Sequence, residues 1–201
     1  PGRFAEQSLA PAVIDWCLPG AYCVVSRRHW LFGLLLLALV ASGVRIAIWT
    51  QLRDSPGWQV FIGDAGRYHA WATQLAAGDW LGSGVFYLAP LFPFALASLY
   101  ALSGPDAVLA RGVQALLGVL ASLLLASATA NFFGRAAGLA AGAVMALWPA
   151  ELFHETLIEK AGLGTLLTAA LLRCLGSTLR SPLSVNAWLL GGVTLGLLVL
   201  V

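Results

Sequence analysis

Apolar and polar positions fall into long blocks along this chain rather than alternating. From Trp30 to Thr50 there are 21 residues with a single charge, Arg45. As a helix rising 1.5 Å per residue, that run is about 30 Å long, the thickness of a bilayer's hydrocarbon core. The pattern predicts a first membrane span over 30–50, with Arg45 near enough to its end to snorkel into the headgroups. Three further full-length blocks follow, at 112–134, 136–153 and 161–179, the last containing Arg173, and a fifth begins at 183 and runs to 201. Residues 1–29 are mixed and broken by Pro11, Pro19 and Gly20, which reads as a cytoplasmic lead-in.

The region between the first two spans, 51–111, has a different grain. Its first part holds Asp54, Asp64 and Asp79 together with Trp58, Trp71 and Trp80. Tyr68, Trp71 and Leu75 recur at helical spacing, Asp64 stands at an N-cap position and Gly78 ends the pattern. A short amphipathic helix is therefore expected over about 65–77, lying at headgroup level. The apolar stretch 88–102 is too short for a comfortable crossing and contains Pro90 and Pro93, so a re-entrant or interfacial helix is expected there. With Arg27 and Arg28 holding the N-terminus inside, this choice puts Arg135 and Arg180 at the cytoplasmic face and Glu151, Glu155 and Glu159 outside, beside the Asp64 loop. The fold class expected is an all-α, polytopic membrane helical bundle.

Composition agrees. Hydrophobic residues make up 60% of the chain and charged ones 10%, with a mean hydropathy of +0.85. Such a surplus of apolar surface needs lipid. The net charge of +2 is spread over scattered basic residues and leaves no footprint for nucleic acid. Cys17, Cys23 and Cys174 have no spacing that suggests zinc or redox chemistry and read as structural thiols. Pro1 at one end and an apolar run at the other make the chain read as a piece of a longer protein.

Few residues can carry chemistry. Asp64 serves either as a helix N-cap or as a functional acid, namely a general base or a carboxylate that holds a metal or orients an acceptor hydroxyl, and the functional role requires that capping does not consume its side chain. Glu155 and Glu159 are four apart, so a continuous helix would put them on one face beside Lys160. They read either as solvated residues at a helix end or as a group able to handle a phosphate and its metal. Arg67 and Arg111 can grip phosphate as bidentate forks or simply neutralise nearby acids. His154 reads as an interfacial side chain rather than a ligand, because no second histidine sits at ligand spacing. No nucleotide-binding loop or zinc-protease motif occurs.

The run GDAGRYHAWATQLAAGDW, followed by GVFYLAPLFPFALASLYALSG and then FFGRAAGLAAGAVMALWPAELFHETLIEK, resembles the N-terminal half of the GT-C membrane glycosyltransferases. The likeness is to the branch of protein O-mannosyltransferases and lipid A aminoarabinose transferases, over roughly residues 30–180. It implies a GT-C type bundle whose amphipathic helices lie in the first outer loop. Asp64 then acts at the acceptor with Tyr68 following it, and a second acid in the next outer loop maps onto Glu159. It also implies a multi-pass enzyme, in the plasma membrane if prokaryotic, that takes a polyprenyl-phosphate sugar as donor. The sugar passes with inversion to an unidentified protein, lipid or glycan acceptor, and a divalent metal is left open. Two positions depart from the family pattern: Ala65 replaces a second acid, and Leu88-Ala89 stand where one branch has Glu-Lys before Pro90. The rival readings from the residues are a transporter, which needs acids facing a mid-membrane cavity and two symmetric halves, and a non-enzymatic scaffold.

Overall fold

The computed structural model describes residues 25–61, 63–80 and 88–201, and all regular structure among them is helical. The elements are α1 (Arg27–Leu52), a 3-10 turn (Pro56–Gln59), α2 (Ala65–Ala76), α3 (Leu91–Ser103), α4 (Ala107–Phe133), α5 (Arg135–Ala146), α6 (Pro149–Thr156), α7 (Ala161–Arg180) and α8 (Val185–Val199). Most of the lead-in, with Cys17 and Cys23, lies outside the described residues. Cys174 is a free thiol on α7.

Local chemistry sets the ends. Ser26 caps α1 by accepting from the His29 amide, and Asp106 Oδ1 caps α4 by accepting from the amides of Val108 at 2.8 Å and Leu109 at 3.2 Å. That cap starts α4 five residues earlier than the expected 112, so Arg111 belongs to a helix and not to the loop. Gly104 and Gly134 stop α3 and α4 with φ of 79° and 89°, where a side chain would be strained.

The expected straight span over 136–153 is broken. Pro149 lacks an N–H and stands in the first turn of a new helix, so α5 ends at Ala146 and α6 restarts at an angle of 48°. Among the described residues, α1, α4 and α7 are each long and apolar enough to cross a membrane, and α5 with α6 passes the same test as one bent span. The apolar stretches that include α3 and α8 form shorter helices of 13 and 15 residues. At about 1.5 Å per residue, α8 is shorter than the full span expected over 183–201.

The α4 helix is the hub, packed against α1, α5, α6 and α7, while α7 also packs on α8. Small residues let these helices approach. A Cβ on Gly142 would meet Leu37 Cδ2 at 2.6 Å and Ala126 Cβ at 2.8 Å, and one on Gly138 would overlap the carbonyl oxygen of Ala126. A membrane interior offers helices no hydrophobic drive to associate, so such close dispersion contact carries the packing.

A second packed layer covers one end of the bundle. Tyr68, Ala72 and Leu75 of α2 bury themselves against Phe92, Leu96 and Tyr100 of α3, and both helices rest on Ala110 and Ile158. The amide of Leu91 donates to the carbonyl of Leu200 at 3.0 Å, so α3 starts beside the end of α8. Three residues separate its end from the start of α4. Both of its ends therefore lie at the same end of the bundle.

Candidate functional site

This covered end is where the sequence-predicted residues gather. Asp64 precedes α2, but its side chain makes no capping bond, because its own backbone is already helical (φ −80°, ψ −7°). The carboxylate is half exposed and lies 3.7 Å from the Arg67 guanidinium, itself 62% exposed. A pair so exposed adds little stability.

Glu159 arrives from far along the chain. The α6 helix stops at Thr156 and Leu157 is extended, so Glu159 does not continue the helical face of Glu155. Two α4 side chains shape this turn: Arg111 Nε donates to the Thr156 carbonyl and Gln114 Nε2 to the Glu159 carbonyl, each at 2.8 Å. The first satisfies a carbonyl that the end of α6 leaves without a helical partner, and the second holds the turn that follows. The Glu159 carboxylate is placed beside Gly63, where a Cβ would sit 3.7 Å from its Oε1, and Oε2 lies 3.3 Å from His154 Nδ1. Lys160 follows, exposed, at the start of α7.

Tyr68 links the two acids. Its ring is buried edge-on against Phe92, and its hydroxyl is held above the ordinary tyrosine range, first by burial and then by the negative charges of Asp64 and Glu159. Both carboxylates therefore act on one phenol, although they stand 95 positions apart.

Glu155 takes no part in this group, which corrects the expectation that it shares a face with Glu159 and Lys160. It is 4% exposed and forms a bidentate pair with Arg45, with Nε to Oε2 at 2.7 Å and Nη2 to Oε1 at 2.6 Å. Arg45 also donates to the carbonyl of Ala41, one turn earlier. Arg45 is buried at 5% exposure and does not snorkel. Glu155 is therefore not a solvated helix-end residue, and Glu151 on the same helix is also buried and accepts from the Thr165 hydroxyl at 3.1 Å.

Several members of this region carry no local signal in the sequence. Gly118 makes room for the buried pair, because a Cβ there would overlap the Glu155 carboxylate. Trp58 stacks its ring on the Arg111 guanidinium, 4.3 Å away. His69 Nδ1 lies 2.8 Å from the Tyr100 hydroxyl, and its ring stacks on Phe61. Each depends on a partner distant in sequence.

Among the described residues, no group of three or more His, Cys, Asp or Glu side chains converges as a metal site would require. Asp64 and Glu159 do not complete a protein-ligated metal centre by themselves. Comparison with protein-family models, with curated proteins and with solved structures finds no match for this chain.

Proposed function

We propose that this chain forms part of a membrane glycosyltransferase of the GT-C kind, which moves a sugar from a polyprenyl-phosphate carrier to an acceptor at the outer face of the membrane. One observation supports it most: the Asp64 carboxylate at the head of α2, not consumed by capping, and the Glu159 carboxylate, brought beside Gly63 by a distant turn, both act on Tyr68. A polyprenyl donor must keep its tail in the bilayer while its head group reacts at the surface. An interfacial pair of acids meets that constraint, with α2 and α3 as interfacial helices.

In this reading Asp64 is the general base. It takes the proton of an acceptor hydroxyl, whose oxygen attacks the anomeric carbon from the side opposite the phosphate. The carbon–oxygen bond to the phosphate breaks, its electron pair leaves with the polyprenyl phosphate, and configuration inverts. Lys160 supplies positive charge to the departing phosphate, and Glu159 accepts from a sugar hydroxyl. Tyr68, kept neutral by its surroundings, remains a hydrogen-bond donor near both acids.

The test is transfer from labelled polyprenyl-phosphate sugars in membranes carrying the protein from its complete reading frame, comparing wild type with Asp64→Asn and Glu159→Gln at matched expression. Loss in the Asp64 variant supports the base. Undiminished transfer in both variants refutes this site.

One observation favours a transport protein instead. Glu151 and Glu155, expected outside beside the Asp64 loop, are buried within α6 among packed helices. Absence of transfer by wild type from every donor, together with substrate flux that depends on Glu155, would move the assignment there.

A further inference from the structure

We infer that a groove between α1 and α4 binds the phosphate of an anionic phospholipid, with Arg111 as its charge partner. This rests on the helix bundle alone and not on the transferase reading. Three charged side chains line a small chamber under the 3-10 turn: Arg45, Glu155 and Arg111. The first two neutralise each other through both of their hydrogen bonds. Arg111 is 5% exposed and forms no ion pair among the described residues. Its contacts are the Thr156 carbonyl and the face of Trp58, which ease the burial of a charge without cancelling it. The chamber is left with one net positive charge.

A second, independent feature points the same way. Trp49 also lines the chamber, and its indole N–H is buried without an acceptor. A buried donor of this kind is destabilising unless something accepts from it. Donors and positive charge are in excess here, so the missing group is an anionic oxygen.

The size and route fit a lipid. The chamber holds about 20 Å³, room for one oxygen-sized group. Arg45, Trp49 and Ala115 line it and also line a larger apolar groove of about 280 Å³ that continues along Ser42, Ile46, Leu116 and Val119. One phosphate oxygen enters the chamber, the rest of the head group stays at its mouth, and an acyl chain follows the groove down between the two helices. A free phosphate would leave that groove without an occupant.

The experiment is native mass spectrometry of the chain released from nanodiscs of phosphatidylglycerol or phosphatidylcholine, with inorganic phosphate added as a separate arm. The wild type should retain phosphatidylglycerol in preference to phosphatidylcholine. Trp49→Phe keeps the ring, removes the N–H and should lower retention about tenfold, the effect of losing one hydrogen bond to a charged group. Ser42→Phe fills the groove and should abolish retention while leaving Arg111 in place. Arg111→Gln should abolish it too, and if that variant does not fold, the other two decide. Equal retention of the two lipids by wild type, unchanged retention in both Trp49→Phe and Ser42→Phe, or displacement of the lipid by inorganic phosphate would each overturn the inference.

Discussion

Arg45 of α1 and Glu155 of α6, separated by 110 positions, meet as a bidentate ion pair in which both side chains are at most 4% exposed. The pair ties the bent α5–α6 span to the first helix. Fixing α6 in this way also fixes where its end delivers Glu159. A residue expected at the phosphate thus serves to position one that remains a candidate.

Removing one partner should therefore be costly. Glu155→Ala leaves a buried guanidinium without its counter-charge, and a loss of about 3–5 kcal/mol is expected. The double change Arg45→Met with Glu155→Leu should recover most of it, since neither charge then remains unpaired. Chemical unfolding in detergent, followed by tryptophan fluorescence, measures both; equal damage in the single and double variants would speak against the pair.

Gly118→Ala tests the same contact from the α4 side. Its methyl group would overlap the Glu155 carboxylate and come within 2.6 Å of Arg45 Nη2, which forces the pair apart. A loss of about 1–3 kcal/mol is expected from overpacking. Gly43→Ala, on α1 with nothing within 4 Å of its Cβ, should be neutral or slightly stabilising and serves as the control.

Asp64→Asn should separate stability from activity. The side chain makes no capping bond and its pair with Arg67 is exposed, so stability should change by less than about 0.5 kcal/mol. Transfer should fall by about 10²-fold or more if Asp64 is the base. Thermal unfolding and transfer, measured on the same membrane preparation, check the two halves together.

The docking of α2 on α3 should weaken in acid. Burial, and then the charge of Arg111, hold the His69 imidazole below the ordinary histidine range. The folded state thus binds protons less readily than the unfolded one, and this part of the stability is complete above the unfolded value of about 6.5. It is lost as pH falls from there through the lowered folded value. Protection of the α2 amides from hydrogen exchange, taken relative to the intrinsic rate at each pH, should fall over that window in wild type, and His69→Gln should flatten the response.

Part of this could be read directly. The blocks that became α1, α4 and α7 were visible because a bilayer rewards uninterrupted apolar length, whatever packs beside it. A short helix over about 65–77 and another within 88–102 were also legible, since helical spacing and the Gly and Pro residues around it act on their immediate neighbours. The break at Pro149 had a signal in the proline itself, but hydrophobic length masked it.

The sequence by itself determined that this is a chain of apolar helices interrupted by one polar region with acids, because helix length, capping and hydropathy are local properties. Only the tertiary structure decided which acids are available. Glu155 and Glu159 look equivalent at four residues apart, yet one is buried against Arg45 and the other stands near Gly63 and His154. The difference arises because α6 ends between them and because a buried charge must find its partner wherever the fold brings one, here 110 positions away.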